Sequence, residues 1–204
     1  MPMFESQVHK QRFGLGLVCG LLPLASLVFG YLGELRGINP PGWYNSISAT
    51  YFANSNSCMI GALWLCAFFL TTYRGYDLGD RAYTLVAAVS ALLVVFCPTA
   101  ASPEKYIGLF ALKSQVSSTI HMVAATTLFG SFALMTLKQF PKGKHRRRNR
   151  IYRICGYTML GFMAIIGIGY VCHLPGYTTM ICETGMLWAF AVAWIIKSGV
   201  FPNM

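Results

Sequence analysis

The chain has 204 residues, of which 55% are hydrophobic and only 11% are charged. Soluble domains carry about 25% charged residues, so this composition leaves too little polar surface to cover a soluble core. The net charge of +10 would favour nucleic-acid binding in a soluble protein, but the sequence has no zinc-finger, helix-turn-helix or P-loop pattern. We therefore expect a membrane protein that binds no nucleic acid.

Six apolar stretches follow one another along the chain, and a membrane-spanning helix needs about 20 mostly apolar residues. They cover approximately residues 13–33, 57–73, 82–101, 114–137, 152–171 and 179–197. The second stretch is the shortest. The sequence predicts an all-α membrane protein, in which residues 1–204 form one domain built as a bundle of six transmembrane helices.

The basic residues divide unevenly between the two sets of connections. Thirteen of the 16 Lys and Arg residues fall on the side that holds both chain ends. Because cytoplasmic loops are enriched in Lys and Arg, both termini are predicted to be cytoplasmic in a multi-pass protein of the cell membrane. The densest basic run, residues 142–150, is expected to lie on anionic lipid headgroups. A docking site for an acidic cytoplasmic partner is the alternative.

Small residues indicate close helix packing in two of the stretches. Gly16 and Gly20 form a G-x-x-x-G pattern in the first stretch, and glycines recur through the fifth. In lipid such residues allow backbones to approach each other. We expect packing within one chain, with a homo-oligomer interface as the alternative.

Polar residues recur at one depth, in the outer half of the predicted bundle. His121 shares a face of the fourth helix with three serines at helical spacing, and Glu183 lies about one turn inside the sixth helix. Ionisable groups at this depth are costly and usually face a cavity or each other. The third helix ends near a proline, and the first outer loop adds hydroxyl groups. The predicted ligand-binding residues are Ser46, Ser48, Tyr51, Thr99, Ser118, His121 and Glu183.

Three interpretations of this cluster stay open: mutual hydrogen bonding that holds the bundle in register, a ligand or ion site, and a catalytic or metal site. A hydrolase would use Ser46 or Ser48 as nucleophile, His121 as base and Glu183 as the orienting acid, but no G-x-S-x-G elbow is present.

Zinc would need three or four ligands. Besides His121, the candidates are the pairs 172–173 and 182–183, but no H-x-x-x-H or C-x-x-C occurs. No metal site is predicted, and the cofactor is unknown. Free thiols at Cys172 and Cys182 are favoured over a disulfide.

The order of these elements resembles bacterial six-helix membrane proteins of unknown function, which are distantly similar to the eukaryotic DRAM-like (damage-regulated autophagy modulator) group. The motifs that carry the resemblance are Ser46-Ile47-Ser48, residues 73–77, Cys97-Pro98-Thr99, His121, residues 148–153, Glu183 and residues 193–197. The resemblance implies six helices with an outward-facing polar cluster, and it implies no established reaction. The chain is also similar to alkaline ceramidases in its Ser, His and acidic residues, but it lacks their further intramembrane histidines.

These observations predict a non-enzymatic membrane protein with a pocket for a lipid headgroup, small ligand or ion. It would act as a sensor, a transporter component or a pore, with membrane lipids as partners and a homo-oligomer or membrane-complex partner as a further expectation. The alternatives are a membrane-embedded lipid hydrolase that uses Ser, His and Glu, and a structural subunit of a membrane complex.

Overall fold

A computed structural model describes residues 2–73, 78–99 and 105–201, with side chains from residue 7 onward. This part of the chain contains six long helices, so the prediction of an all-α fold is confirmed. They are α1 (Pro2–Glu34), α2 (Asn56–Thr72), α3 (Leu78–Phe96), α4 (Ser114–Leu134), α5 (Arg146–Val171) and α6 (Tyr177–Lys197).

Four short elements connect the helices. A 3-10 helix, Ser48–Phe52, precedes α2, and the antiparallel strands β1 (Tyr106–Ile107) and β2 (Leu112–Lys113) form a hairpin before α4. After α4 the chain continues as a π-helical turn, Met135–Gln139, and a 3-10 turn, Phe140–Lys142. Five of the described helices, all except α2, are long and apolar enough to cross a membrane, whereas α2 has only 17 residues.

Three predicted helix ends are wrong by several residues. Helix α1 begins at Pro2 and α5 at Arg146, because Lys and Arg are good helix formers and nothing before the apolar stretch breaks the helix. Helix α3 ends at Phe96 instead of residue 101. Pro98 has no N–H and disfavours a helical conformation at Cys97, so the helix stops before both. Residues 100 and 101 lie outside the described residues.

The helices pack in a closed ring in chain order, with α1 against α6. Helices α4 and α6 also touch directly, and the rings of Phe132 and Phe190 stack there with centroids 3.6 Å apart. Helix α5 packs on the outer side of this pair. The interior of the bundle is therefore enclosed by the other five helices.

Glycines bring α1 and α6 together. A Cβ atom at Gly16 would lie 2.7 Å from the Ile195 side chain and 3.1 Å from the Ala191 carbonyl oxygen, and one at Gly20 would lie 3.4 Å from the Ala191 Cβ. The expected packing within one chain is therefore found at these two glycines. Whether the chain also forms oligomers stays a prediction.

The two ends of the bundle differ. One end, called the terminal end below, holds the start of α1, the end of α6 and the connection between α4 and α5. There the Arg12 guanidinium donates to the Lys197 carbonyl at 3.3 Å. The opposite end, called the loop end, holds residues 35–55, the β-hairpin and the turn between α5 and α6. The beginning and the end of the described chain thus lie together.

The surface of the helices is apolar and the interior holds polar groups. Phe68, Val123 and Ile181 are 61%, 63% and 58% exposed. Thr50 and Ser117, in contrast, are fully buried. Monomeric soluble proteins rarely expose large continuous apolar surfaces.

Cations at the terminal end lie against aromatic rings. The Lys197 ammonium donates to the Phe140 carbonyl oxygen at 3.3 Å and stands 5.1 Å from the centre of the Phe140 ring. Asp80 is buried in the first turn of α3. The sequence predicts that Arg74 and Arg81 pair with Asp77 and Asp80 across the turn before α3, but residues 74–77 lie outside the described residues.

Candidate functional site

Residues 35–55 fold back into the loop end of the bundle and contact the last turns of α1. Trp43 is buried against Gly30, where a Cβ atom would overlap the indole ring. The indole N–H of Trp43 donates to the Glu34 carboxylate at 2.8 Å, and the Asn39 amide donates to the Gly30 carbonyl at 2.6 Å. The absence of a side chain at Gly30 therefore lets Trp43 pack against α1 and hold this segment there.

The same segment contacts the start of α6. The Met180 N–H donates to the Asn45 carbonyl oxygen at 3.0 Å. A Cβ atom at Gly176 would lie 2.6 Å from the Asn45 side chain, so these two residues are in close contact. Contacts on both α1 and α6 place the following 3-10 helix, and with it Ser48, inside the bundle.

The end of α3 uses side chains of α4 to satisfy its last carbonyl groups, which have no partner within their own helix. The Cys97 carbonyl oxygen lies 2.8 Å from His121 Nδ1, and the Pro98 carbonyl accepts the Ser117 hydroxyl at 2.7 Å. The Phe96 carbonyl accepts the Leu109 N–H at 2.9 Å. Because a carbonyl only accepts, His121 Nδ1 carries a proton.

The second ring nitrogen of His121 faces the folded-back segment. His121 Nε2 lies 2.9 Å from the Ser48 hydroxyl, and the imidazole is 1% exposed. The residue before Ser48 contacts Glu183: the Ile47 N–H donates to Glu183 Oε2 at 2.5 Å. Hydrogen bonds thus link the Cys97 carbonyl, His121 and Ser48, and the adjacent Ile47 N–H binds Glu183; we call this group of residues the relay.

An apolar cavity lies beside the relay on the axis of the bundle. The cavity has a volume of about 40 Å³. Ser48 and Glu183 provide its oxygen atoms at the loop end, and the thiols of Cys19 and Cys66 lie in its wall. The rest of the wall is mainly aliphatic and aromatic and includes Met59, Leu63, Ala125, Leu128, Phe132 and Leu187.

Of the seven predicted site residues, the structure brings together Ser48, His121 and Glu183. The Ser46 hydroxyl accepts the Ala49 N–H at 2.9 Å, so it caps the 3-10 helix. The Tyr51 ring packs against Phe52 with centroids 5.1 Å apart. Ser118 and Thr99 are half-buried and do not join the relay.

Several groups that belong to the site were not predicted from the sequence. Ser117 was on the predicted polar face but not in the predicted site, and it bonds to the end of α3. The Ile47 N–H and the Cys97 carbonyl are backbone groups, which leave no side-chain signal in a sequence. The thiols of Cys19 and Cys66, which face the cavity, were also not among the predicted site residues.

The geometry differs from the predicted hydrolase in one respect. Both ring nitrogens of His121 have partners, Ser48 and the Cys97 carbonyl, so Glu183 does not orient the imidazole.

Cys172 and Cys182 are both free, and Cys172 is exposed. Within the described ranges no group of three or more His, Cys, Asp or Glu side chains is placed to hold a metal ion.

The fold and the site define an all-helical bundle with a polar relay at one end of an apolar cavity. No protein-family model, curated protein or solved structure matches this chain. The resemblance to DRAM-like proteins therefore stays a prediction.

Proposed function

We propose that this chain is a six-span protein of the cell membrane that binds an amphipathic molecule, with the apolar part in the cavity and the polar group at Ser48 and Glu183. The exposed apolar side chains on the helices support the membrane location, since lipid tails would cover them. Helix α2 would be the sixth span, with the 3-10 helix Ser48–Phe52 extending the chain at the loop end.

The basic residues support cytoplasmic termini. The described Lys and Arg residues at the loop end are Arg36, Lys105 and Lys113, and most others lie at the terminal end. The positive-inside rule assigns the basic end to the cytoplasm. Reporter fusions after Met204 and within residues 142–150 should read cytoplasmic, and an insertion after Leu109 should read outside. An outside signal from either of the first two positions would refute this orientation.

One observation carries the proposed ligand class: the cavity is apolar on all sides except at Ser48 and Glu183. Binding sites for small molecules commonly combine an apolar lining with a few polar groups that fix orientation. A free ion would lack ligands in the apolar part. A molecule with a short alkyl chain and one hydrogen-bonding group matches both parts of the cavity.

Binding of 1-propanol, whose size suits a cavity of about 40 Å³, to protein in neutral-lipid nanodiscs tests this proposal. A ligand that binds the folded state raises its unfolding temperature. Propanol should do so for the natural chain and for Met122→Phe, which adds a ring on the exposed side of α4, but not for Ala125→Phe, which fills the cavity. Equal shifts in all three proteins would show that propanol acts on the lipid, and the proposed cavity ligand would be wrong.

A lipid-ester hydrolase is the second candidate, and the 2.9 Å contact between the Ser48 hydroxyl and His121 Nε2 favours it. In such an enzyme His121 would take the serine proton as Ser48 attacks an ester carbonyl. The position of Glu183 argues against it, because the carboxylate accepts the Ile47 N–H, which would otherwise be free to stabilise an oxyanion at Ser48.

A fluorophosphonate probe separates the two candidates. A hydrolase should be labelled at Ser48, and Ser48→Ala should abolish labelling and ester turnover. The binding proposal predicts no labelling at Ser48 under conditions that label a known serine esterase in the same nanodiscs. Ser46→Ala is the matched control, because the Ser46 hydroxyl caps the 3-10 helix outside the relay.

A further inference from the structure

The β-hairpin before α4 lies along the bundle, with its turn pointing toward the terminal end. His121 follows Ser114, the first residue of α4, by seven positions and bonds to the Cys97 carbonyl. Cys97 therefore lies about 10 Å from the start of α4 toward the terminal end. Gly108, in the hairpin turn, lies at a similar level, because a Cβ atom there would overlap the Phe96 carbonyl oxygen. The open end of the hairpin, in contrast, lies beside the start of α4.

The backbone of the hairpin makes its hydrogen bonds within the protein. The two strands pair in antiparallel register. In the turn, the Leu109 N–H donates to the Phe96 carbonyl at 2.9 Å, and at the open end the Ser114 N–H donates to the Lys105 carbonyl at 3.0 Å. Non-helical backbone is tolerated at membrane depth only where the protein itself satisfies its polar groups. The hairpin meets this condition.

The turn of the hairpin presents apolar side chains on the surface. Leu109 and Phe110 are 67% and 54% exposed. The Phe110 ring packs edge-on against Phe96 with centroids 5.8 Å apart, and the Phe96 ring packs against Trp64 of α2 with centroids 5.6 Å apart. Trp64 is itself 49% exposed. These side chains form a continuous exposed apolar surface that reaches from the hairpin turn to α2.

Two lysines stand at the open end of the hairpin, about 10 Å nearer the loop end than this apolar surface. Lys105 and Lys113 are exposed, and they are two of the three described basic residues at the loop end. The positive-inside rule disfavours cations on that side, so topology does not account for the pair. Helices α2 and α4 carry no Asp or Glu, and Asp80 of α3 lies at the opposite end. Glu104 lies outside the described residues.

We infer, building on the proposed membrane location, that the hairpin binds one anionic phospholipid of the outer leaflet. The headgroup phosphate lies at Lys105 and Lys113, and an acyl chain lies along Leu109, Phe110 and Trp64. Two cations placed above an exposed apolar surface match a negative headgroup above its acyl chain. A zwitterionic headgroup binds more weakly, because it brings an ammonium group beside the two lysines.

Photocrosslinking of the natural chain in phosphatidylcholine nanodiscs tests this inference. The nanodiscs contain a small fraction of phosphatidylglycerol or, in a second sample, of phosphatidylcholine, each with a diazirine in the acyl chain. Mass spectrometry then locates the adducts. The phosphatidylglycerol probe should label residues 106–112 and the segment around Trp64 at least about tenfold more than the phosphatidylcholine probe, because each lysine near an anionic headgroup contributes about fivefold in affinity.

Two double variants test the role of the lysines. Lys105→Gln with Lys113→Gln should lose the preference for phosphatidylglycerol at the hairpin, whereas Arg at both positions should retain it. The matched control is Lys144→Gln with Arg147→Gln, which removes two exposed cations at the terminal end and should leave hairpin labelling unchanged. Unfolding temperatures show whether each variant is folded, and the comparison of the two probes on the natural chain needs no variant.

Several results would overturn the inference. They are equal labelling of the hairpin by the two lipids, adducts only elsewhere, equal losses in the two Gln double variants, and displacement by inorganic phosphate at constant ionic strength, which would indicate a site for free anions. Absence of hairpin adducts, with cytoplasmic termini in the reporter fusions and propanol binding in the cavity, refutes this inference alone. A cytoplasmic signal from the insertion after Leu109 refutes the proposed topology as well.

Discussion

The loop end and the terminal end of the bundle accommodate polar groups in opposite ways. At the loop end a few buried side chains, chiefly Ser48, His121 and Glu183, bond to one another and to backbone groups. At the terminal end many cations stay at the surface, and some lie on aromatic rings, such as Arg12 with its guanidinium carbon 5.5 Å from the centre of the Tyr73 ring.

The two ends differ in whether water can replace a hydrogen-bond partner that a polar group loses. A buried donor that loses its acceptor has no water nearby, so its desolvation cost is fully expressed. A cation near the surface regains water when a partner is removed, and the loss is small. Single substitutions should therefore destabilise the loop end much more than the terminal end.

The largest expected effect is that of Glu183→Leu. It removes the acceptor of the buried Ile47 N–H, and an unpaired buried donor costs about 1–3 kcal/mol. The free energy of unfolding, measured in detergent mixtures, should fall by about 3 kcal/mol, the upper end of that range. Glu183→Gln keeps an acceptor oxygen for this N–H, so its loss should be about 1 kcal/mol or less.

A different result would change this account of the relay. A large loss in Glu183→Gln that is rescued by also replacing His121 would mean that an ion pair between protonated His121 and the Glu183 carboxylate holds the fold. Equal stability of the Leu and Gln variants would mean that the Ile47 N–H finds another acceptor.

An intermediate effect is expected for Gly30→Ala, because a Cβ atom there overlaps Trp43 and displaces the folded-back segment. Overpacking of this kind costs about 1–3 kcal/mol. The matched control is Gly61→Ala in α2, where a Cβ atom meets nothing within 4 Å. That change should stabilise the helix by about 0.5–1 kcal/mol, since alanine is the better helix former. Equal changes in the free energy of unfolding for the two substitutions would show that Trp43 can move away without destabilising the fold.

The smallest effect is expected for Arg12→Lys at the terminal end. The variant keeps the charge and loses hydrogen bonds of 3.3 Å to the Lys197 carbonyl and 3.4 Å to the Tyr73 hydroxyl. The cost should be below about 1 kcal/mol in the same unfolding measurement. Lys10→Arg, at an exposed position, should change nothing measurable. A loss at Arg12 as large as that of Glu183→Leu would remove the contrast between the two ends.

Hydrophobicity and breaker residues were sufficient to predict the helices and part of the site from the sequence. Apolar length located six helices, and helical spacing placed His121 on the buried face of α4 with Ser114 and Ser117, all of which are buried. The end of α3 was placed too late, although Pro98 was visible, because the apolar run continues past it.

The remaining features depend on contacts that a one-dimensional pattern does not contain. Ser46 and Ser48 are two residues apart and chemically alike, yet only Ser48 reaches the relay. Turn geometry decides between them, because Ser46 bonds locally to Ala49. The apolar cavity also could not be predicted, since its wall combines residues from five helices that each look like ordinary core positions.

The short length of α2 would affect the thickness of the bilayer around the protein. Its 17 residues extend about 25 Å, whereas the hydrocarbon layer is about 30 Å thick. Its neighbour α1 has 33 residues and is long enough to span the full thickness. In the proposed bilayer, lipids beside α2 would compress while those beside α1 would not, so the protein would bear a one-sided thickness mismatch and partition toward thinner membranes.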